Sequence, residues 1–281
     1  MKAKDIVQIL LAEFAQKLDR LDDLVQREEQ FPKASNKIKV AIGMRRVGKT
    51  YFLYQQILKL LKEGVAISRI LYINFEDDRL FPMDSKGLAE LIEAFYALYP
   101  ENHDQHCYLF LDEIQNIQDW SLVVRRFQDS LNAEIFLTGS SAKLLSKEIA
   151  SSLRGRSLSS EIWPYSFYEF LKAKNIKTIL LSGDNKIKCE QVANEVGIDE
   201  IYAEQSPEEK LVKIAALNNE LPTAMVGDGI NDAPSLETAD IGISFGDATS
   251  VAMNAADVVI IGQSELKSVI TAIEKIGRAH V

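Results

Sequence analysis

The chain has 281 residues, 47% hydrophobic and 26% charged. That composition excludes a disordered or fibrous chain and allows a substantial buried core. The net charge of −9 falls on residues 175–281, which hold 8 Lys/Arg and 17 Asp/Glu against 24 of each elsewhere, so a chain of two parts is expected. Two distant cysteines predict no disulfide framework, and His103 and His106 beside a polar turn form no zinc pattern. No apolar run reaches the roughly 20 residues of a membrane span, and the amino terminus is charged and amphipathic. A cytoplasmic chain without a membrane segment is expected, and nucleic acid is not indicated.

In chain order, Ile6, Ile9, Leu10, Phe14, Leu18, Leu21 and Val25 recur at helical spacing, predicting one amphipathic helix within residues 5–30. Apolar runs at 38–42, 70–75, 107–111, 135–138 and 157–163 read as strands. Helical stretches at 49–62, 86–98 and 119–131 join the first four. This alternation predicts a mostly parallel sheet covered on both faces. It restarts at 177 with strands 177–182, 200–203, 223–227, 240–243 and 257–260. The helices predicted among and after them are 186–196, 207–219, 232–237, 248–255 and 264–276. The fold class expected is therefore α/β, with two three-layer parallel-sheet units.

The first strand runs into Gly43-Met44-Arg45-Arg46-Val47-Gly48-Lys49-Thr50 and then a helix. In G-x-x-x-x-G-K-T the glycines let the backbone curl so that successive N–H groups face phosphates, and the helix amino terminus adds partial positive charge. Gly43, Arg45, Arg46, Gly48, Lys49 and Thr50 are the candidate ATP-binding residues, with Lys49 on the β/γ-phosphates and Thr50 on Mg²⁺. The strand Cys107–Leu111 delivers Asp112 and Glu113 to the carboxyl edge of the sheet. There Asp112 is expected in the Mg²⁺ shell and Glu113 beside the attacking water.

Residues 38–171 resemble the AAA+ ATP-binding proteins of bacteria and archaea, on GMRRVGKT, LFLDEIQNIQDW, IFLTGSSAKLLSKEIASSLRGR and WPYSFYEF in that order. The resemblance implies a five-stranded core that binds and hydrolyses Mg²⁺–ATP. It implies a γ-phosphate sensor at Ser140 or Ser141, and an arginine, Arg154 or Arg156, that completes a neighbour's site in a homo-oligomer. It stops at residue 171. The family's helical lid has no counterpart after WPYSFYEFL, so weak nucleotide binding and slow hydrolysis are expected.

A second set of signals follows: Ser182-Gly183-Asp184-Asn185, Pro207-Glu208-Glu209-Lys210, and Gly227-Asp228-Gly229-Ile230-Asn231-Asp232-Ala233-Pro234. The last pattern arises by chance on the order of once in 100,000 such chains. Asp228 and Asp232 project at a tight glycine turn after an apolar strand and are candidate Mg²⁺ ligands. Ser182 and Lys210 are candidate partners of a phosphoryl group, with Gly183, Asp184 and Asn231 lining the same phosphate site.

Residues 175–276 resemble the phosphorylation domain of P-type ATPases, nearest the heavy-metal, copper-type branch, and more broadly the haloacid-dehalogenase-type phosphotransferases. Those pumps form an aspartyl-phosphate and move a metal ion across a membrane. Their nucleophile sits in Asp-Lys-Thr-Gly-Thr, upstream of the strand that ends in SGDN. This chain has no such motif: Glu113-Ile114-Gln115 follows Asp112. The resemblance therefore implies no covalent intermediate and no transport by this polypeptide alone. It also implies that strands 177–182 and 223–227 lack a shared central neighbour, leaving two edges of unpaired backbone groups.

Four segments are expected: 1–36, an amphipathic helix and linker; 37–172, the ATPase core; 173–276, the incomplete phosphorylation domain; and 277–281, a tail foreign to both. YEFLKAKNIKTILLSGDN, residues 168–185, passes between the two kinds of sequence without a Pro, Gly or Ser spacer. Together with the tail IGRAHV, which resembles translated sequencing adapter, this predicts a splice of two unrelated coding sequences. The reading is an Mg²⁺-dependent ATPase core fused to a truncated pump domain. Its rivals are an inactive heavy-metal pump fragment and a non-catalytic nucleotide-binding module.

Overall fold

The computed structural model describes residues 2–21, 24–34, 36–140, 153, 155–261 and 268–273. It divides into two compact units, Met1–Tyr165 and Ser166–Val281.

The first unit is built on β1 (Ile38–Gly43), β2 (Ile70–Asn74), β3 (Cys107–Asp112), β4 (Ala133–Ser140) and β5 (Ser157–Glu161). They form one sheet in the order β2-β3-β4-β1-β5, with every neighbouring pair parallel. Strand periodicity splits the side chains between two cores. Val40, Leu71, Ile73, Leu109, Leu111, Ile135 and Leu137 pack on one face. Ala41, Ile70, Tyr72, Phe110 and Phe136 pack on the other, where the last two rings stack at 4.4 Å. Helices α1 (Ala3–Leu18), α3 (Ser85–Leu98) and α4 (Trp120–Ser130) cover the first face through Val7, Leu10, Leu88, Leu91, Phe95, Val124 and Phe127. Helix α2 (Lys49–Lys62) covers the second through Phe52, Leu53, Ile57 and Leu60. Both faces of a parallel sheet must be covered because its strands are apolar on both sides. This is the α/β unit that the alternation predicts.

The predicted helix 5–30 is shorter than its period suggests, ending at Leu18. Residues 24–34 run without regular structure, and Arg27 supplies the reason. Its buried guanidinium donates to the Val47 and Trp163 carbonyls at 2.9 and 2.5 Å, and its backbone N–H donates to Gln55 Oε1. These tertiary bonds outweigh a helical preference worth only tenths of a kcal/mol per residue.

In the second unit, β6 (Ile179–Leu181) pairs with β7 (Glu200–Tyr202) as a two-stranded parallel sheet. Separately, β8 (Ala224–Val226), β9 (Ile241–Phe245) and β10 (Val258–Ile260) form a three-stranded parallel sheet in the order β10-β9-β8. The helices are α5 (Phe167–Ala173), α6 (Lys186–Val196), α7 (Pro207–Glu220), α8 (Ala233–Thr238) and α9 (Ser250–Ala255). Their starts follow local capping chemistry. The Ser166 and Ser206 side chains accept from the N–H groups of Glu169 and Glu209, which bond back as capping boxes, and Asn185 caps α6. Of the expected helix 264–276, only residues 268–273 are described, as helical.

Two features bear on the expected division of the chain. Helix α5, drawn from the stretch expected to close the first unit, packs within the second. The Tyr168 ring lies against Gly197, whose φ of +75° closes α6, and Lys172 pairs with Asp199 at 3.0 Å. Second, the break expected between strands 177–182 and 223–227 divides the strands of this unit into two separate sheets. The unit's buried apolar cluster is small, Ile214, Met225, Leu236, Ala239 and Ala252, with Leu181 partly buried against it. No residue of β6 or β7 is fully buried.

Short, half-covered parallel strands open at low free-energy cost. By hydrogen exchange, the amides of β6, β7 and β8 should exchange at least about a hundredfold faster than those of β1, β3 and β4. Equal protection in the two units would contradict this reading of the split sheet.

Candidate functional site

The carboxyl end of β1 lies beside that of β4, with Gly43 opposite Ser140 in register. From there the chain turns through residues 44–48 into α2. Close approach requires glycine at 43, since a Cβ there would sit 2.3 Å from the Ile162 carbonyl oxygen. Gly48 caps α2 at φ +91°, a conformation that side chains disfavour. A cavity of about 680 Å³ opens over this turn, lined by Arg45, Arg46, Gly48, Lys49, Thr50, Glu76, Glu113 and Tyr165 among others. The first Gly-x-x-x-x-Gly-Lys-Thr thus meets the Asp-Glu strand end at one place, as spacing alone predicts.

Lys49 is buried, and its Nζ donates to the Gly43 and Met44 carbonyls at 3.1 Å each. It also lies 3.7 Å from Glu113 Oε1. Glu113 takes a left-handed backbone at φ 54°, and its other carboxylate oxygen accepts from Gln115 Nε2 at 2.5 Å. Arg45 is exposed, 3.9 Å from Glu76, and Arg46 is exposed at φ 68°. Both line the mouth of the cavity.

Behind them, Asp112 is fully buried at the end of β3. Thr138 Oγ1 donates to Asp112 Oδ1, Tyr72 donates to Oδ2 at 2.9 Å, and Tyr54 donates to Tyr72 at 3.0 Å. Thr50 also hydrogen-bonds Asp112. Burial pushes the Asp112 carboxyl up, and the bonds from Thr138, Thr50 and Tyr72 offset it only in part. Burial likewise pushes the Tyr72 phenol up, with Asp112 adding to the effect. A buried carboxylate bonded to the hydroxyl of Thr50 is a hard oxygen donor set that fits Mg²⁺.

Sequence reasoning missed three of these residues. Thr138 bridges the site, since its Oγ1 also accepts from the Glu113 N–H at 2.8 Å. Its only signal was position, two residues before the expected sensor Ser140. Tyr72 lay hidden as an ordinary aromatic of β2. Arg27 lay within a helical period, yet it clamps the Val47 carbonyl of the phosphate loop and stacks 5.0 Å over Tyr165.

Ser140 stands at the end of β4, beside Gly43 in register. Ser141 and Arg154 lie outside the described residues. Arg156 does not line the cavity; it pairs at the surface with Asp129 at 3.3 Å.

In the second unit, Ser182, Gly183, Asp184, Gln205, Pro207, Lys210 and Asn231 line a cavity of about 280 Å³, so the expected phosphate-site residues converge. Lys188 beside Asp184, at 2.9 Å, holds that carboxyl below its usual range. The expected pairing of Asp228 with Asp232 around Mg²⁺ is not what the geometry presents. Asp232 gives one oxygen to Lys210 Nζ at 2.9 Å and the other to the Gly229 N–H at 3.2 Å. Asp228 is exposed. Among the described residues, no group of three or more His, Cys, Asp or Glu is placed to hold a metal ion. With one acid neutralised by a lysine, the donor set does not fit a divalent cation as it stands.

Fold and sites define two classes of domain in one chain. Residues 35–171 match the AAA domain family, and residues 123–240 match haloacid dehalogenase-like hydrolase. The matches overlap at 123–171, where the structure assigns β4 and β5 to the first sheet. Each match covers less than half of the chain, so residues 35–171 resemble an AAA domain and residues 123–240 a haloacid dehalogenase-like hydrolase. It is 49% identical over 152 residues to an uncharacterised protein of Methanocaldococcus jannaschii, covering 54% of this chain and 32% of that one. It is 56% identical over 89 residues to a copper-exporting P-type ATPase of Staphylococcus saprophyticus, covering 31% and 11%. A crystal structure of a zinc-transporting PIB-type ATPase matches at 39% identity and TM-score 0.37, covering 38% of this chain and 18% of that one. The chain thus spans a third or less of these relatives' lengths. No described helix is long and apolar enough to cross a membrane.

Asp112 gives a test of the site's electrostatics. A carboxyl whose folded pKa is raised contributes stability at low pH that is lost as pH rises through that pKa. Asp112→Asn should therefore raise the thermal midpoint at neutral pH by about 2–4 °C, an advantage that shrinks in acid, and should abolish stabilisation by Mg²⁺–ATP. A lowered midpoint at neutral pH, or retained Mg²⁺–ATP stabilisation, would refute the assignment.

Proposed function

We propose that the first unit binds Mg²⁺–ATP and hydrolyses it. The observation that carries this reading is one cavity lined by the phosphate-loop turn, Lys49, Thr50 and Glu113, with Asp112 buried behind it. Thr50 and Asp112 would hold Mg²⁺, which supplies neutralising charge to the phosphates. The N–H groups of residues 45–50 and the amino terminus of α2 cradle the phosphates. Lys49 leaves its bonds to Gly43 and Met44 to meet the β- and γ-phosphates. Glu113, released from Lys49, accepts a proton from the water that attacks the γ-phosphorus as the bond to the β–γ bridging oxygen breaks.

Steady-state turnover and nucleotide binding separate these roles. Lys49→Ala should lose binding and turnover together, whereas Glu113→Gln should bind ATP and turn over about a hundredfold more slowly. Wild-type turnover in Glu113→Gln would overturn the mechanism. Binding that survives Lys49→Ala but falls with Asp228→Asn would move the nucleotide to the second unit.

The second unit is read as part of a metal-pump phosphorylation domain without its nucleophile, supported by its similarity to copper-exporting P-type ATPases and by the Ser182–Lys210–Asn231 cavity. No phosphoenzyme is expected from it. The two domains are read as joined by a splice within residues 168–185. The two family matches, each covering less than half of the chain, support this. Sequencing source genomic DNA across codons 168–185 should find no single gene; one continuous gene seen repeatedly there would refute the splice.

A further inference from the structure

The cavity over the phosphate loop has two unlike ends, and the strand order separates them. Glu76 follows β2 and Glu113 follows β3, both on one side of β1, whereas Pro164 and Tyr165 follow β5 on the other. Strands β3 and β5 are three places apart in the sheet, roughly 14 Å at ordinary strand spacing. The proposed hydrolysis puts the γ-phosphate at the acid end, between Lys49 and Glu113. The rest of an extended nucleoside triphosphate then runs along the loop toward β5, and its base arrives beside Tyr165.

Tyr165 is held in a way that suits contact with a flat group. The Ile162 N–H donates to the Ile42 carbonyl, so the chain leaving β5 starts tied to β1. The Arg27 guanidinium then bridges the Trp163 carbonyl to the Val47 carbonyl of the phosphate loop, and lies 5.0 Å from the centre of the Tyr165 ring. The ring is thus backed by a cation, and 46% of the residue stays exposed where it lines the cavity. Little at this end could read a base edge. Among the described lining residues there is no Asn or Gln, the two carboxylates stand at the far end, and the arginines belong to the phosphate loop. The Tyr165 hydroxyl can donate or accept, so it meets the 6-amino group of adenine and the 6-oxo group of guanine equally well.

We propose that the base of the bound nucleotide stacks on Tyr165, and that the site takes purine nucleoside triphosphates by this contact without telling adenine from guanine. The proposal rests on the reading of the first unit as a Mg²⁺–triphosphate site and names the substrate class that the site admits. Stacking on an aromatic ring strengthens binding on the order of tenfold to a hundredfold, and it tolerates any base because every base has a π-face. Strong selection of one base needs polar groups that its competitor leaves unpaired, and the β5 end of the cavity offers none among the described side chains.

The test is isothermal titration of the full chain with the Mg²⁺ salts of ATP, GTP and inorganic tripolyphosphate, in wild type, Tyr165→Ala and Tyr165→Phe. Wild type should bind ATP and GTP with dissociation constants within about threefold of each other. Tyr165→Ala should weaken both by about tenfold or more while binding tripolyphosphate as wild type does, a control for folding in the same experiment. Tyr165→Phe, which keeps the ring, should restore both nucleotides. Unchanged nucleotide affinity in Tyr165→Ala, or a preference for one purine above about tenfold, would overturn the proposal and leave the triphosphate site standing. Equal loss of tripolyphosphate in Tyr165→Ala would overturn it as well, by assigning Tyr165 to the fold. A wild type that binds none of the three ligands would overturn the triphosphate site and this proposal together.

Discussion

A parallel strand is stable only when it is paired along its edges and covered on both faces, and the two units differ in how far they meet that requirement. In the first, β1 lies between β4 and β5, so both edges of the strand that carries the phosphate loop are bonded. The loop therefore springs from a rigid base, and its glycines need only solve the local problem of turning. In the second, β6 and β8 carry comparable phosphate-site loops, each on a strand bonded on one side. Their loops converge on one cavity, yet the strands beneath them are short and half-exposed. Position is retained while rigidity is reduced, which is why the two sites are not equivalent.

Within the first unit the same rigidity makes the buried Asp112 tolerable. A carboxylate removed from water costs several kcal/mol unless its oxygens find donors. Here donors come from three elements: Tyr72 on β2, Thr138 on β4 and Thr50 on α2. Each is held by the sheet or by the helix that follows the phosphate loop, so the loop, the acid and the strand ends are fixed by one network. Phe14 of α1 stacks on the Tyr72 ring at 4.8 Å, which ties the first helix to that network through an apolar contact.

Much of this was legible in sequence because it is local. The strand–turn–helix around Gly43–Thr50, the apolar strand ending in Asp112-Glu113 and the capping boxes at Ser166 and Ser206 are each written in consecutive residues. The carboxyl-edge convergence follows from parallel topology. What escaped depends on contacts between distant residues. Arg27 sits in an unbroken helical period, and only its bonds to Val47 and Trp163 explain why the helix stops. Thr138 and Tyr72 were invisible because a buried hydroxyl and a core aromatic carry no signal without their partner. Asp228 and Asp232 read as a pair by spacing, whereas Lys210, on a separate helix, takes Asp232. The open edges at β6 and β8 were anticipated from the missing motif, but their separation into two sheets was not fixed by any local pattern.

Both sites hold their phosphate-directed lysine in a pair with a carboxylate: Lys49 with Glu113 at 3.7 Å, and Lys210 with Asp232 at 2.9 Å. All four side chains are largely shielded from water, so neither pair is simply surface decoration. An incoming phosphate must compete with an acid for the lysine in each case, and the outcome rests on what else it gains. In the first site it gains successive backbone N–H groups and the amino terminus of the 14-residue α2, and on the proposed mechanism it releases Glu113 to act as the base. In the second it gains the Ser182 hydroxyl and the Asn231 side chain but leaves Asp232 with the Gly229 N–H in place of its lysine. The exchange is better offset where the phosphate meets successive backbone donors and the amino terminus of a long helix, so phosphate chemistry in this chain is expected to concentrate at Lys49.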